Sequence, residues 1–597
     1  MDYKSIRNLA TMFFERADTL GDKPFLWAKA DGEYRALSWS RAASEVERLA
    51  RGLRALGIEA GDRVVLVSEN RPEWVIADLA IMTAGAITVP AYTTNTTDDH
   101  LYILEHSGAK LAIVSTERLA SHLLPAARSA EDCIAVVSID PPAEATQVGV
   151  DVVSWADTCV KGDGVDEDPR AWAAAIPRTE TACFIYTSGT GGRPKGVMLT
   201  HGSILANCDG AHDLLVELGL SDEVFLSLLP LSHSYEHTAG LMFPISIGAQ
   251  IYYAEGPDKI AANLTEARPT IMTAVPRLYE VLHDRIRRGV DQQGGLKAKL
   301  FHTAIDLGTK RYQDPASLSM VERVQNVVLD KLVRKKVAGR FGGRLKTFVS
   351  GGAALNPEIG TFFLSLGVSI LQGYGQTEAS PVISCNRKDR IRIETVGPPL
   401  KGVTVKIAED GEILASGELL MKGYWRDPET TAETIKDGWL HTGDIGVIED
   451  DGLLRITDRK KDIIVNSGGD NIAPARVEGV LTVEPQIVQA MVYGDKRPYL
   501  VGVLVPDPDF IKQWAEENGR EADLTTLSVD EDFCKAVGMA LERANNKINQ
   551  IEKVRRFVVA EEPFTTDNAM MTPTLKVRRH KVREVYWERL DGLYGRG

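Results

Sequence analysis

Apolar and polar positions follow helix-like and strand-like spacings in turn along the first part of the chain. Residues 40–56 place apolar side chains every three or four positions, which predicts an amphipathic helix. The run Val64–Val67 predicts a buried strand, and residues 72–89 predict a second helix followed by a strand. This alternation predicts an α/β domain with a mostly parallel sheet.

Later apolar runs extend the same pattern and then give way to a different one. Three runs that end near Gly, Ser or Pro predict further strands: Ala182–Tyr186, Ile271–Val275 and Thr347–Val349. Open α/β sheets bind ligands beyond the carboxyl ends of their strands, so we expect functional loops after these runs. From about residue 397 the short strands Val403–Ile407 and Glu418–Met421 alternate with tight glycine turns, which predicts a β-rich subdomain over 397–457.

The last part of the chain alternates again between helical and strand patterns. One predicted helix has an apolar face formed by Phe533, Val537, Leu541, Ala544, Ile548 and Ile551. We therefore predict an α/β fold with a large N-terminal domain over residues 1–457, built of mostly parallel sheets with helices. A smaller α+β C-terminal domain is predicted over residues 458–597.

Composition narrows the classes of function. The 597 residues include 69 Lys and Arg against 83 Asp and Glu, a net charge of −14, which argues against a nucleic-acid partner. An anionic ligand therefore needs a local positive site. Six cysteines without a C-x-x-C pair argue against a disulfide framework and against a thiolate zinc site.

The sequence also predicts where the protein resides. Charges interrupt the first twenty residues, so no secretory signal is predicted, and the apolar stretch Trp74–Tyr92 contains Asp78 and is too short to span a bilayer. We predict a soluble, cytoplasmic protein. Peripheral contact with the inner face of a membrane and a homodimeric state both stay open.

The segment Tyr186–Gly196, YTSGTGGRPKG, carries the sharpest chemical signal. Its four glycines let backbone N–H groups approach phosphate oxygens, and Lys195 adds a positive charge. Pro194 excludes both a Walker A motif and a dinucleotide-binding fingerprint. The segment therefore predicts a phosphate-binding loop of another kind.

This loop resembles the signature loop of the adenylate-forming superfamily, which contains acyl-CoA synthetases, peptide-synthetase adenylation domains and luciferases. Four later segments are similar to motifs of that family and occur in its order: Gly373–Glu378, His441–Asp444, Asp458–Asp462 and Thr572–Lys576. Gly191 stands where many members have threonine, which removes a hydroxyl but adds backbone freedom. We expect phosphate binding to survive this change.

The resemblance implies a two-step reaction. A carboxylate attacks the α-phosphorus of ATP, pyrophosphate leaves, and coenzyme A then attacks the acyl-adenylate and releases AMP. It implies that Thr187 and Glu378 hold Mg²⁺, that Lys195 meets the pyrophosphate, and that Lys576 reaches the reacting carboxylate. The catalytic residues implied are Lys576, Lys195, Glu378 and His233.

The resemblance also implies a nucleotide site in which Tyr374 stacks on adenine and Asp444 accepts from the ribose hydroxyls. The residues implied to bind ATP are Thr187, Ser188, Gly189, Thr190, Gly191, Gly192, Lys195, Gly352, Ala353, Ala354, Gln372, Gly373, Tyr374, Gly375, Thr377, Asp444, Arg459, Lys461 and Lys576. A mobile C-terminal domain is implied, with a hinge at Asp458. Its rotation would withdraw Lys576 and present residues 467–469 to the thiol.

The segment Pro230–His237 contains H-x-x-E-H and has two readings. As an inverted zinc-protease motif, it predicts a zinc hydrolase that uses His233, Glu236 and His237. As the Leu-Pro-Leu-x-His segment of the adenylate-forming family, it places His233 near the acyl entrance. His237 is then either part of the acyl tunnel or an ordinary packed histidine.

Within the family, the chain looks most like the long-chain fatty acyl-CoA synthetases. Candidates to line an acyl tunnel, or simply to pack in the core, are Leu241, Met242, Phe243, Phe362, Phe363, Val382 and Ile383. The alternatives are an acyl-adenylate ligase that loads a carrier protein or uses another carboxylic acid, and a nucleotide-binding regulator, which intact Glu378 and Lys576 disfavour.

A run of basic residues interrupts the otherwise acidic chain. Its members are Lys331, Arg334, Lys335, Lys336, Arg340 and Arg344. We expect a solvated helix face here, with two functional alternatives: a contact for the phosphates of coenzyme A, or a contact for a membrane surface.

Overall fold

The computed structural model describes residues 2–140, 149–187, 193–468, 470–572 and 576–595. The strands of these residues are, in chain order, β1 (Pro24–Ala30), β2 (Glu33–Ser38), β3 (Arg63–Val67), β4 (Ile87–Ala91), β5 (Ala109–Val114), β6 (Ala135–Ser138), β7 (Asp151–Ser154), β8 (Thr181–Thr187), β9 (Lys195–Thr200), β10 (Val224–Ser227), β11 (Gln250–Tyr253), β12 (Ile271–Ala274), β13 (Thr347–Ser350), β14 (Ile370–Gly375), β15 (Val382–Cys385), β16 (Thr404–Ile407), β17 (Glu412–Ser416), β18 (Gly423–Tyr424), β19 (Ile435–Lys436), β20 (Trp439–Ile448), β21 (Leu454–Arg459), β22 (Ile464–Val465), β23 (Asn471–Ile472), β24 (Ile487–Tyr493), β25 (Leu500–Pro506) and β26 (Val554–Val559).

The α-helices connect these strands. In chain order they are α1 (Leu9–Leu20), α2 (Trp39–Ala55), α3 (Pro72–Thr83), α4 (Thr97–Ser107), α5 (Glu117–Ser129), α6 (Trp155–Gly162), α7 (Pro169–Ala175), α8 (His201–Leu215), α9 (Phe243–Ile247), α10 (Ile260–Ala267), α11 (Pro276–Gln293), α12 (Gly295–Gln313), α13 (Met320–Leu329), α14 (Lys335–Arg340), α15 (Pro357–Ser365), α16 (Pro428–Thr434), α17 (Pro474–Leu481), α18 (Pro508–Asn518), α19 (Leu524–Leu527), α20 (Glu531–Asn545) and α21 (Arg579–Gly592). Two π-helices, Glu236–Met242 and Asp330–Arg334, lead into α9 and α14.

Two eight-stranded sheets form the frame of the N-terminal part. Their strand orders are β15-β14-β13-β12-β10-β11-β1-β2 and β18-β9-β8-β4-β3-β5-β6-β7. The inner pairs are parallel, whereas β14 with β15, β1 with β2, and β8 with β9 are antiparallel. This arrangement confirms the predicted α/β fold, because crossover helices cover the faces of largely parallel sheets.

Smaller sheets complete the molecule. A five-stranded sheet joins β16, β17, β19, β20 and β21, and it forms the β-rich region that the sequence predicts. Strands β24, β25 and β26 make a three-stranded sheet that packs with α17, α20 and α21. Large N-terminal sheets and a smaller C-terminal α+β unit therefore agree with the predicted fold class.

Helix α3 explains the most apolar stretch of the chain. Residues 74–83 of this helix are all buried, including Trp74 and Asp78, because the helix is packed on all sides by other elements. The stretch Trp74–Tyr92 is thus a core helix followed by β4. Among the described residues, no helix has the length and apolar character needed to cross a membrane.

Two predictions of local secondary structure are wrong. Glu418–Met421 forms a turn instead of a strand, since Gly417 before it has φ +151° and the Glu418 carboxylate pairs with Arg178. The predicted helix that should run to Ile551 ends at Asn545. The Asn545 side chain instead bonds the backbone of Val554, with distances of 2.9 and 3.0 Å.

Arg334 also departs from expectation. It was predicted on a solvated helix face, yet it is buried and its guanidinium donates to the carbonyl oxygens of Ser365 at 2.6 Å and Ala304 at 2.9 Å. Asp330, one turn earlier, accepts a third bond at 2.6 Å. Arg334 therefore fastens its helix to α12 and α15.

Candidate active site

The loop after β13 forms one wall of the candidate site. Gly352, Ala353 and Ala354 are exposed there, at the carboxyl end of a parallel strand. Behind them, a Cβ on Gly351 would lie 2.9 Å from the Tyr235 ring, and Tyr235 Oη donates to the carbonyl oxygen of Val349 at 2.8 Å. The wall therefore presents backbone and methyl groups and is backed by a fixed aromatic ring.

Gln372 of β14 holds this loop in place. Its Oε1 accepts from the Leu355 N–H at 2.7 Å, and its Nε2 donates to the carbonyl oxygens of Ile393 and Thr395 at 3.0 Å each. The side chain is buried, and these bonds use both ends of its amide. Gln372 thus ties the wall to the segment that follows β15.

Asp444 connects three parts of the chain. Tyr374 Oη donates to Asp444 Oδ2 at 2.6 Å, and Arg459 Nε donates to Oδ1 at 3.3 Å. Burial and the Asp444 carboxylate raise the pKa of Tyr374 well above its ordinary value, so the phenol stays protonated. Tyr374 and Asp444, predicted to meet the adenine and the ribose, lie in direct contact.

Lys576 lies close to this pair. Its pKa is lowered, first by desolvation and then by the Arg459 guanidinium, while the Asp444 carboxylate acts in the opposite direction. Residues 573–575 lie outside the described residues. Arg459 therefore bonds the Asp444 carboxylate directly, and Lys576 lies within electrostatic range of both residues.

His233 lies within electrostatic range of Lys576. Burial first, and the charge of Lys576 second, lower its pKa to about 4. Its Nδ1 accepts from the Tyr235 N–H at 3.2 Å, so the neutral ring is assigned its proton on Nε2. At neutral pH, His233 is therefore an uncharged ring with an N–H donor, near the Lys576 ammonium.

Glu378 and Lys195 belong to a second cluster, which also contains residues that the sequence analysis missed. Tyr424 Oη donates to Glu378 Oε1 at 2.8 Å, and Lys195 Nζ lies 5.1 Å from the centre of the Tyr424 ring. Lys195 Nζ also donates to Thr430 Oγ1 at 3.0 Å and lies 3.4 Å from Asp427 Oδ2. Two features of the sequence could have pointed to these residues: the aromatic pair Tyr424 and Trp425 after Gly423, and the Asp427-Pro428 dipeptide at the start of α16.

The remaining predicted positions are distributed around these two clusters. Thr187 pairs with Lys195 across β8 and β9, and Thr377 Oγ1 lies 2.9 Å from Ser234 Oγ. Gly373 and Gly375 belong to β14, and Lys461 is exposed in the turn after β21. Ser467 and Gly468 are exposed as well. Outside the described residues lie Ser188, Gly189, Thr190, Gly191, Gly192 and Gly469.

The H-x-x-E-H segment does not form a zinc site. Glu236 Oε1 and Oε2 accept from Ser227 Oγ and Thr273 Oγ1, both at 2.6 Å, and His237 Nε2 lies 2.9 Å from Asp78 Oδ2. The Glu236 carboxylate and the His237 ring therefore bond other buried side chains of the core. In the described part of the chain, no cluster of three or more His, Cys, Asp or Glu side chains could hold a metal ion. The zinc-hydrolase prediction is therefore wrong.

An apolar cavity lies behind the π-helix Glu236–Met242, and its volume is about 30 Å³. Its lining residues are Ala211, Leu214, Leu215, Phe225, Ala239, Phe243, Ile271, Thr273, Val349, Val382, Cys385 and Leu400. Of the predicted tunnel residues, only Phe243 and Val382 are among them. Thr273 lines the cavity and also donates to the buried Glu236 carboxyl.

The other candidates for the acyl tunnel are not among the lining residues and take the alternative role, packing in the core. Phe362 and Phe363 form an aromatic cluster with Phe301, Tyr279 and Phe341, at ring-centre distances from 5.3 to 6.4 Å. The aliphatic ones, Leu241, Met242 and Ile383, are fully buried in the core. The sequence could not separate lining from packing, because both require an apolar side chain.

Comparison with known proteins finds relatives over almost the whole chain. The family described as AMP-binding enzyme matches residues 13–425, and the AMP-binding enzyme C-terminal domain matches residues 461–597. A long-chain-fatty-acid–CoA ligase of Mycobacterium bovis, FadD15, is 32% identical over 99% of this chain and 97% of its own length. Long chain acyl-CoA synthetase 7, peroxisomal, of Arabidopsis thaliana is 31% identical over 99% and 87%.

A solved structure with this fold is the adenylation domain of a carboxylate reductase from Mycobacterium chelonae. It has a TM-score of 0.79 and 23% identity over 99% of this chain and 91% of that chain. At this identity the likeness concerns the fold alone.

The buried Glu236 carboxyl predicts a pH-dependent stability. Burial raises its pKa to about 7, against 4.5 for an ordinary glutamate, despite the hydroxyls of Ser227 and Thr273. The folded protein therefore binds more protons than the unfolded chain between these values. The resulting stabilisation is complete below pH 4.5 and is lost as the pH rises through 7. Glu236→Gln keeps the side-chain size without the ionisation.

We expect scanning calorimetry to find that the free energy of unfolding of Glu236→Gln, relative to that of wild type, rises by about 2–3 kcal/mol from pH 5 to pH 8. The control is Glu322→Gln, because Lys310 holds the pKa of Glu322 at about 2 and both states are ionised over this range. A constant difference between Glu236→Gln and wild type across the range contradicts the prediction.

Proposed function

This chain belongs to the AMP-binding enzyme family, and we propose that it is an ATP-dependent long-chain fatty acid:CoA ligase that forms acyl-CoA, AMP and pyrophosphate through an acyl-adenylate. The observation that carries the proposal is the buried Asp444 carboxylate, which accepts from Tyr374 Oη at 2.6 Å and from Arg459 Nε at 3.3 Å, and beside which we propose that Lys576 acts. A cation there stands between the proposed nucleotide site and the segment that borders the apolar cavity. That is where a carboxylate must meet the α-phosphate.

The proposed adenine and ribose contacts follow from the wall and the Asp444 cluster. The exposed, small residues Gly352–Ala354 leave room for a planar base to approach the backbone, and Tyr374 supplies the opposite face. Asp444 carries the acceptor oxygens that a ribose diol needs, and Arg459 fixes the orientation of this carboxylate. Gln372 acts as a positioning residue, since its amide bonds only backbone groups.

The phosphates of ATP are proposed to bind near Lys195 and Glu378. Mg²⁺ suits this position, because Tyr424 occupies only Oε1 of Glu378 and leaves Oε2 without a hydrogen bond among the described residues, while Thr187 adds a hydroxyl oxygen. Bound Mg²⁺ would neutralise phosphate charge. Lys195 must exchange its Thr430 and Asp427 partners for the pyrophosphate oxygens, and the Tyr424 ring lies beside its ammonium throughout.

The acyl chain is proposed to enter the apolar cavity that Ala239 and Val349 line. The cavity lining is almost entirely apolar, which suits an alkyl chain and excludes a polar substituent. At about 30 Å³ it has room for about two waters, so a long chain must displace some of the lining side chains. The long-chain-fatty-acid–CoA ligases among the relatives support this substrate class.

For the second half-reaction we propose rotation of the C-terminal domain about Asp458. Burial first, and then the nearby Asp462 and Glu478 carboxylates, raise the pKa of Asp458 to about 6, while Arg579 acts in the opposite direction. The rotation would remove Lys576 and bring residues 467–469 to the adenylate. Coenzyme A would then attack the acyl carbon and displace AMP, with the proton of the thiol released to solvent.

Pyrophosphate release from ATP tests the proposed reaction directly. With acetate, octanoate, palmitate and oleate as the acids, we expect release with the long acids and faster release when coenzyme A is added. Release that coenzyme A leaves unchanged would favour a ligase that loads a carrier protein. Absence of release with every acid would contradict adenylation.

Lys576→Ala is expected to lower adenylation by about a hundredfold or more, because it removes a cation that stabilises charge developing in the transition state. Conversion of preformed acyl-adenylate and coenzyme A to acyl-CoA should fall by less than about threefold, since Lys576 has then been withdrawn. Lys581→Ala, in the same domain and paired with Glu584 at 2.9 Å, is the control. Adenylation within about threefold of wild type for Lys576→Ala would exclude the assigned role.

Ala239→Phe tests whether the cavity holds the acyl chain. Ala239 lines the cavity from the π-helix, so a phenyl ring there should fill it. We expect kcat/KM to fall about tenfold or more for palmitate and to change by less than about threefold for octanoate. Ala262→Phe, the same change at an exposed position of α10, is the control. An equal loss for both acids would show that the chain binds elsewhere.

A further inference from the structure

The helical segment 320–340, made of α13, the π-helix Asp330–Arg334 and α14, exposes an apolar face. Its exposed apolar residues are Met320, Val321, Val324, Val327, Val328 and Leu332, with exposed fractions from 46% to 81%. Scattered exposed apolar residues are ordinary, but here helical spacing gathers six of them on one face. A contiguous apolar face of this kind indicates an interaction surface.

The opposite face of the segment is fixed to the core, so the apolar face cannot turn inward. Leu329 and Val333 are buried against the same core as Phe348. The buried Arg334 guanidinium bonds the carbonyl oxygens of Ser365 and Ala304. The exposed orientation of the apolar face is therefore built into the fold.

Unpaired basic residues accompany the apolar face. Lys331, Lys335, Lys336 and Arg340 are exposed and form no ion pair with any described residue. The two acidic residues of the segment are already paired, Glu322 with Lys310 at 2.8 Å and Asp330 with Arg334 at 2.6 Å. The segment is thus locally positive in a chain of net charge −14.

We propose that the segment 320–340 docks the protein on an anionic lipid bilayer. The valine and methionine side chains would lie at the boundary between headgroups and acyl chains, and the four basic residues would meet the lipid phosphates. Charge complementarity selects this occupant. A second copy of the chain would present the same basic face and would gain no such complementarity.

Docking through this segment leaves the proposed active site free. Met272, Ala274 and Phe348 of β12 and β13 pack in the core beneath the segment, whereas Ile271, Thr273 and Val349 line the apolar cavity. Neighbouring residues of a strand point to opposite faces of the sheet. The docking surface and the cavity therefore lie on opposite sides of the same sheet.

Co-sedimentation of the full chain with vesicles tests the proposal. We expect binding to vesicles of phosphatidylcholine and phosphatidylglycerol in equal parts. Binding to phosphatidylcholine alone should be weaker by about tenfold or more. Raising NaCl from about 0.1 M to about 0.5 M should also weaken binding, because it screens the lysines. Equal binding to both vesicle types, or no binding to either, would overturn the proposal.

Two variant pairs identify the surface. Val324→Glu with Val327→Glu, and separately Lys331→Glu with Lys335→Glu, should each weaken binding by about tenfold or more. The matched control is Val160→Glu with Val585→Glu, two similarly exposed helical valines elsewhere on the surface, which should leave binding unchanged. Unchanged melting temperature and pyrophosphate release would confirm that all variants are folded.

Two results with these variants would overturn the proposal. In one, Val324→Glu with Val327→Glu binds vesicles as wild type does. In the other, light scattering finds a dimer that this variant pair abolishes while vesicle binding is absent, which would assign the face to a second copy of the chain.

Discussion

The Asp444 carboxylate is the point on which the arrangement of the site depends. It is almost fully buried, and a buried charge is stable only when hydrogen bonds and an opposite charge compensate its lost hydration. Tyr374 from the large sheet and Arg459 from the end of β21 provide that compensation. Arg459 directly follows Asp458, so a rotation at this hinge acts first on a partner of Asp444. The proposed nucleotide site and the orientation of the C-terminal part are thereby linked through one side chain.

A second buried carboxyl, Glu236, lies behind the wall of the apolar cavity, bonded to the hydroxyls of Ser227 and Thr273. Thr273 directs its hydroxyl to Glu236 and still lines the cavity, which separates the polar group from the apolar space. Gly240 completes the arrangement, since a Cβ there would lie 2.4 Å from the Glu236 carboxyl carbon. The π-helix therefore accommodates a polar network on one side and Ala239 at the cavity on the other.

Elements that depend on residues close in sequence could be predicted from the sequence. Features that depend on contacts between residues far apart in sequence could not. Helical spacing and apolar runs located α2, β3 and β8, and the ordered motifs contain Tyr374, Asp444 and Arg459, which are in contact in the structure. The partner of Lys195 is Thr430, 235 positions away, and no local pattern reports such a contact. Glu418 likewise leaves a strand-like pattern for a turn, because Arg178 pairs with it across the fold.

The buried guanidinium of Arg334 has a thermodynamic consequence for the surface that it supports. Segments that become ordered only on contact lose about 1–2 kcal/mol of backbone entropy per residue, which subtracts from their affinity. The segment 320–340 is already helical and fixed by bonds to Ser365 and Ala304, so it avoids that loss. Modest contact energy then gives measurable attachment, and release requires no unfolding. A preformed surface of this kind favours rapid, reversible exchange between its bound and free states.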